Sequence, residues 1–389
     1  MLQQIIEMLK KQQTFVTIYE RIFQRPILNI FNKKHNKSAL ISYSTYHFKK
    51  KNYTPHSNYQ ESVFMANALD ELGYNVDIEN NNRFSKLDLS KYDLIIGEGI
   101  PLFQAAATFS PAIRVFYATG SHPWQCNNAS LGRLTDYFNK YKKLPLESLR
   151  INDYRWGIAA NAADAIICIG NDYTISTFID YGCKNIYRIN PTYHTNNDFT
   201  NKSLEQIEKS RKTALWFGSY GLLHKGLDIT IEAFSKRPDW TLHVCGHTSK
   251  EAYFLNNLPI GKNIYIHGFV NIESSKFKSI INDSCFVILP SCSEGIATSV
   301  ITAMGRGGLI PIVSKQCGID IGDFGIEIEE LTCSSIIQTL DYCDSIETNT
   351  LLNNTEKSHH EATIKYSEYQ YREKMKEYIH EITKKSTIS

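Results

Sequence analysis

The sequence predicts an α/β protein built of two parallel-sheet domains, and three observations carry that reading. Short runs that are apolar at nearly every position, such as YDLIIG and AIICIG, alternate with stretches of helical period. Strands of that kind belong to a parallel sheet covered by helices on both faces. The alternation breaks once, at the polar, Asn-rich HTNNDFTNKSLEQIEKSRK that starts at His194, and then restarts. At 389 residues, 42% of them hydrophobic, the chain is long enough for two cores.

Residues 1–37 form an arm whose pattern is helical to about Arg25. Leu2, Ile5, Ile6, Leu9, Val16 and Phe23 fall on one side and Lys10, Arg21 and Arg25 opposite. A basic amphipathic helix of this kind fits an anionic membrane surface or a packing role on the body, and the pattern alone does not choose. Residues 38–193 form the first domain. Its strands are expected at SALISYST, NVDIE, YDLIIG, IRVFYATG, AIICIG and NIYRIN, with a helix over NYQESVFMANALDELG that stops at Gly73. Residues 194–212 are a linker with a short helix. Residues 213–345 form the second domain, with strands at ALWFGS, WTLHVCG, NIYIHGF, SCFVILP and LIPIVS and helices between them, one of them near Ser249 to Leu258. Residues 346–389 form a helical segment, with one charged, Tyr-rich pattern from Glu361 to Ile382 expected to cross back onto the first domain.

Composition narrows the function. The net charge of +2 conceals a surplus of five basic residues in the arm, which leaves the body near −3 and unlike a nucleic-acid binder. Nine cysteines, scattered mostly in apolar runs without CxxC or zinc spacing, read as buried thiols of a reducing cytosol. No run of 18 apolar residues and no signal peptide is present, so the chain is expected in the cytoplasm. There is no DxD pair to bridge a metal to a diphosphate, and neither metal nor cofactor is expected.

Two stretches carry chemistry. In PSCSEGIATSVITAMGRGG (Pro290 to Gly308) a buried strand is aimed at a helix start, the junction where ligands sit in open α/β sheets. Glu294 there suits sugar hydroxyls, and Gly295 lets a ligand approach the backbone; the plainer reading is an ordinary turn with a solvated glutamate. In FGSYGLLHKGLD (Phe217 to Asp228), Gly218, Ser219 and Gly221 precede Lys225. This is not a Walker motif, yet small residues exposing amides beside a lysine suit a diphosphate. The plainer reading is a surface lysine in a loop.

Taken together, the GS-x5-KG-x-D loop, the WTLHVCG strand, the IHGFV strand end and PSCSEG ahead of AMGRGG resemble retaining glycosyltransferases of the GT-B fold, nearest to family 4, the group 1 glycosyltransferases. The likeness spans roughly Ser38 to Ile328 and is strongest from Ala214 to Ser314. It implies two Rossmann-like domains facing a cleft. It implies that Lys225 contacts the donor diphosphate beside Gly218 and Ser219, and that Glu294 holds donor-sugar hydroxyls, with Gly295 and the amides of Ile296, Ala297, Thr298 and Ser299 at sugar and phosphate. Gly268, Phe269 and Val270 would line the nucleobase pocket. His122 in ATGSHPW would face the donor across the cleft as a catalytic residue, and the acceptor would meet His56, Asn58 and the loop from His122 to Asn127.

Two positions depart from the family pattern. The second glutamate of E-x7-E is Thr302, which puts the ribose contact in doubt. The arginine after the loop glycine is Ser219, so Lys225, Arg306 or Lys315 would have to compensate. The implied activity is metal-independent, retaining transfer of a hexosyl group from a nucleotide diphosphate sugar to a glycan or lipid-linked glycan acceptor in surface polysaccharide synthesis. A nucleotide-sugar epimerase and a non-catalytic partner subunit remain alternatives. The basic arm fits attachment at the cytoplasmic membrane.

Overall fold

The computed structural model describes residues 25–49, 57–193, 199, 201–246 and 251–385. Strands apolar at every position are satisfied only when neighbours cover both faces, and the chain builds two parallel sheets from them. The first contains β1 (Lys37–Ser42), β2 (Tyr74–Glu79), β3 (Leu94–Gly97), β4 (Ile113–Ala118), β5 (Ala165–Ile169) and β6 (Ile186–Ile189), in the order β2-β1-β3-β4-β5-β6. The second contains β7 (Thr213–Phe217), β8 (Thr241–Cys245), β9 (Ile264–Gly268), β10 (Phe286–Leu289), β11 (Ile310–Ser314) and β12 (Ile326–Ile328), in the order β12-β11-β10-β7-β8-β9. In each sheet the winding reverses beside the first strand, between β1 and β3 and between β7 and β10. The loops leaving those strands therefore open a crevice at each switch point.

Helices α1 (Tyr46–Lys49), α2 (Ser57–Glu71), α3 (Ile100–Ala107), α4 (Pro123–Tyr141), α5 (Tyr154–Asn161) and α6 (Asp172–Asp180) accompany the first sheet, and α7 (Leu204–Ser210) leads into the second. Helices α8 (Leu227–Ser235), α9 (Ala252–Leu255), α10 (Ser275–Asp283), α11 (Thr298–Gly307) and α12 (Cys333–Ser345) accompany the second sheet; α13 (Thr348–Lys365) and α14 (Glu368–Lys385) follow. The expected α/β architecture of two facing Rossmann-like domains is present. Strand β12 had not been expected: it is three residues long, and Glu327 at its centre is exposed. The single pattern expected from Glu361 to Ile382 is two helices, because Ser367 accepts a hydrogen bond from the Gln370 amide (3.3 Å) and starts α14 anew. The helix expected near Ser249 to Leu258 is described only as the single turn α9.

Helix α14 does cross back. It buries Tyr371, Met375, Ile379 and Ile382, and the Tyr371 hydroxyl meets that of Tyr117 from β4 at 2.8 Å. The helical part of the arm lies outside the described residues. Where description begins, Ile27 exchanges backbone hydrogen bonds of 2.9 and 2.8 Å with Ile78, and the Ile30 amide donates to Val76 (2.9 Å), so the chain covers the free edge of β2. Among the described residues no helix is long and apolar enough to cross a membrane. All nine cysteines are unpaired and seven are buried.

The two domains are joined by polar contacts, one of them buried. Arg133 of α4 donates to both oxygens of Asp228, in the first turn of α8, at 2.8 and 2.7 Å, with the two side chains only 5% and 6% exposed. Lys140 of the same helix pairs with Glu232 of α8, and Arg188 of β6 with Asp320. Taking the charges of Arg133 and Asp228 from water is costly, so that pair specifies how the domains meet more than it stabilises the meeting, and the two more exposed pairs add little.

Candidate active site

The site forms where loops leave β7 and β10, the switch point of the second sheet. After β7, Gly218 packs where a Cβ would lie 2.7 Å from the Trp216 ring and 3.1 Å from the Lys225 stem. Gly226 then takes a left-handed turn (φ +68°), and a Cβ there would meet the Pro290 carbonyl at 2.3 Å. That close approach brings the lysine loop against the loop after β10. Lys225 Nζ consequently pairs with Glu294 Oε1, which also accepts from Ser291 Oγ at 2.9 Å. From the first domain, Arg150 Nη1 reaches across the cleft to Glu294 Oε2 at 3.2 Å. Burial opposes charge on Glu294, but Lys225 and Arg150 outweigh it and hold the carboxyl down at about 2. Lys225, read in the plainer view as a surface residue, has a side chain only 6% exposed.

His224 sits beside this cluster and ties it to the first domain. Its Nε2 donates to the Ser293 carbonyl at 2.5 Å, and its Nδ1 faces Ser130 Oγ of α4 at 2.7 Å. Burial, with Arg150 and Lys225 adding to it, lowers its pKa to about 4, so the ring is neutral.

The helix that starts beyond Glu294, α11, has no side-chain cap at Ala297, and Thr298 and Ser299 at its first turn line the cavity. An uncapped N-terminus of this kind favours an anion. The glycine loop is different. Its amides at Gly221 and Leu222 donate to the Glu251 carboxylate (2.8 Å each), and that of Gly218 donates to Cys245 (3.1 Å). For Gly218 and Gly221 the expectation that small residues present amides to a diphosphate is therefore corrected: their amides serve the loop.

These groups face a cavity of about 880 Å³ between the two sheets. The structure brings Gly218, Ser219, Lys225, Phe269, Val270 and Glu294 to its wall, together with Ile296, Ala297, Thr298, Ser299, Thr302 and, from the first domain, Asn58. Thr302 Oγ1 donates to the Thr298 carbonyl one turn back (2.8 Å), so its hydroxyl has only acceptor capacity left for a ligand. Gly268 stands behind the wall: its left-handed turn (φ +70°) accepts from the Gly246 amide (2.9 Å) and delivers Phe269 to the rim.

Several expectations are corrected. Gly295 does not line the cavity; a Cβ there would lie 2.6 and 2.7 Å from the carbonyl oxygens of Ile169 and Thr119. Its missing side chain lets the two domains close on each other, and admits no ligand. His122 does not reach the cavity either. It is fully buried, with Nδ1 accepting from the Trp124 amide (3.3 Å) as the cap of α4 and Nε2 at 2.9 Å from Asn161 Oδ1. The ring stacks on Tyr181 at 4.4 Å, and burial lowers its pKa. His122 caps α4 and stands behind the cavity wall, where the expected position facing a donor is not met. Arg306 is bonded to the Ile272 carbonyl (2.8 Å) and Glu273, and Lys315 lies over the Tyr173 ring; neither lines the cavity, and the second cation is Arg150. His56 lies outside the described residues.

Sequence reasoning missed Arg150, His224, Glu61 and Glu98. Arg150 and His224 carry no motif. Glu98 had a signal, because GEG after β3 repeats the strand–Glu–Gly arrangement of SEG after β10.

Residues 211–335 match the family described as Glycosyl transferases group 1, a stretch that holds β7 to β12 with Lys225 and Glu294. No curated protein matches the chain in sequence. Among solved structures it is similar to Anabaena HepE in complex with UDP-glucose, at 13% identity over 89% of this chain and 99% of that one, with a TM-score of 0.56. It is similar to the catalytic domain of starch synthase IV from Arabidopsis thaliana bound to ADP and acarbose, at 11% identity over 90% and 100% with a TM-score of 0.53. It is also similar to α,α-trehalose 6-phosphate synthase from Burkholderia multivorans, at 10% identity over 90% and 99% with a TM-score of 0.54. At these identities the likeness is one of fold, and the chain has the GT-B glycosyltransferase fold, with the group 1 match confined to the domain that carries Lys225 and Glu294.

Proposed function

We propose that the chain is a metal-independent, retaining glycosyltransferase of the family 4 kind. It would move a hexosyl group from a nucleotide diphosphate sugar to a glycan or lipid-linked glycan in surface polysaccharide synthesis, working in the cytoplasm or at its membrane face. The observation that carries this reading is the convergence of Lys225 and Arg150, one from each domain, on Glu294 in the interdomain cavity. A diphosphate competes with Glu294 for both cations, and the released carboxylate then accepts from sugar hydroxyls. As the bond from the anomeric carbon to phosphate oxygen breaks, charge grows on the leaving diphosphate, where Lys225, Arg150 and the N-terminus of α11 stabilise it. The acceptor oxygen bonds to the same face of that carbon, and its proton passes to the departing phosphate oxygen. This route needs no protein nucleophile and no metal.

The test is to incubate the protein with a panel of nucleotide sugars, with and without glycan acceptors and with EDTA present. Free nucleotide diphosphate and the anomeric configuration of the product are then measured. Acceptor-dependent release with retained configuration, unaffected by EDTA, is expected. Donor turnover without acceptor would mark an epimerase, and donor binding without any turnover a partner subunit. The arm, residues 1–34, is proposed to bind anionic vesicles, and its deletion should release the protein from them while leaving donor binding intact.

A further inference from the structure

The first-domain wall of the same cavity carries two carboxylates that the donor chemistry does not use. Glu98 follows β3 in a turn that leaves it little freedom. Gly97 (φ +137°) and Gly99 (φ +83°) flank it, and a Cβ on either would lie 2.1 Å from a carbonyl oxygen, that of Ser42 or Asn81 respectively. Its amide donates to the Ser42 carbonyl (3.0 Å), and Ser42 Oγ donates back to the Glu98 carbonyl (2.6 Å). The side chain is thus aimed by a rigid backbone at the ends of β1 and β3, the switch point of the first sheet.

That side chain is buried yet lines the cavity. Oε1 accepts from Asn81 Nδ2 at 2.9 Å, while Oε2 has only a long contact of 3.4 Å from Thr119 Oγ1. A carboxylate offers about four lone-pair sites, so most of its accepting capacity is unused. Glu61 of α2 lies on the same wall, engaged by the Thr192 amide (2.8 Å) and the Tyr117 hydroxyl (3.3 Å). Among the described residues neither carboxylate has a cationic partner, and burial raises both to about 7.

Resting on the glycosyltransferase reading, we propose that Glu98, with Glu61 behind it, forms the acceptor subsite and selects an uncharged, hydroxyl-bearing sugar over a phosphorylated or carboxylated one. Hydroxyls donate to a carboxylate. Among the described residues an anionic group brought beside these two buried carboxylates finds no cation, because the two in the cavity wall, Lys225 and Arg150, serve the donor diphosphate.

The test compares kcat/KM for paired acceptors, a neutral hexoside against its uronic acid and its 6-phosphate, in the wild type, Glu98→Gln and Glu98→Asp. Nucleotide diphosphate affinity is measured by calorimetry for each. The wild type should favour the neutral member at least tenfold. Glu98→Gln should raise the acceptor KM and shrink that preference several-fold while leaving diphosphate affinity within twofold, and Glu98→Asp, which keeps the charge, should retain the preference. A wild type indifferent to acceptor charge, or a Glu98→Gln enzyme with an unchanged neutral-to-anionic ratio, overturns the proposal. Failure of any nucleotide diphosphate to bind the wild type strikes instead at the transferase reading. If Glu98→Gln does not fold, the wild-type ratio and Glu98→Asp still decide.

Discussion

Glu294 and Glu98 occupy matching places in the two domains: each follows a buried strand at a sheet's switch point, each precedes a glycine, and both face one cavity. Their surroundings differ. Glu294 meets Lys225, Arg150 and Ser291 and is held at about 2, whereas among the described residues the Glu98 side chain meets Asn81 and Thr119 and is raised by burial to about 7. The same side chain on the same scaffold is held ionised after β10 by two cations, one from each domain, and is pushed toward its neutral form by burial after β3. The difference teaches what each wall is suited to receive. The Glu294 side of the cavity can exchange its carboxylate for another anion, since Lys225 and Arg150 stay to meet it. Among the described residues Glu98 and Glu61 have no cationic partner, and their part of the first-domain wall suits neutral hydroxyls.

The comparison is most severely tested at Lys225. Lys225→Ala strands part of a buried carboxylate, and breaking a buried pair costs about 3–5 kcal/mol, somewhat less here because Arg150 remains. Denaturant unfolding of Lys225→Ala, Glu294→Ala and the double variant should give a double variant less destabilised than the sum of the singles. Simple additivity would show that the two groups are not coupled.

Glu98→Gln should act in the opposite direction. A carboxyl raised from its ordinary value to about 7 binds more protons folded than unfolded between those values, so its contribution falls as pH rises through that window. Replacing it with an amide should therefore raise stability at pH 8 by about 1–3 kcal/mol and change little at pH 4. Thermal melts at both values check this, and a gain of equal size at pH 4 would show that its source is not the charge.

Arg150 is 40% exposed, so its contact with phosphate is partly screened. Arg150→Ala should weaken nucleotide diphosphate binding about tenfold, as a charge-assisted hydrogen bond is worth about 1.5–3 kcal/mol before screening, with little loss of stability. Titration calorimetry at two salt concentrations measures it; unchanged affinity would leave Lys225 as the sole cation for the donor. The smallest effect belongs to Thr302→Ala. Its hydroxyl is committed to the Thr298 carbonyl, so donor affinity should fall by no more than about 1 kcal/mol. A larger loss would mean that Thr302 takes over the role of the missing second glutamate.

The sequence by itself determined the two sheets and most of the second-domain wall of the cavity. Strands such as Leu94–Gly97 and Phe286–Leu289 are apolar throughout because both faces are covered, and that pattern is local. Lys225 and Glu294 were legible for a related reason: each sits in a short loop whose place is set by the strand before it and the helix after it. What only the tertiary structure decided lies between elements far apart in the chain. Arg150 reaches Glu294 across 144 positions, and His122 turns away from the cleft to cap α4 against Asn161. Gly295 makes room for the backbone of the other domain, and among the described residues Glu98 has no cation. Charge neutralisation, burial and the approach of two domains are set by through-space distances, which local pattern does not encode.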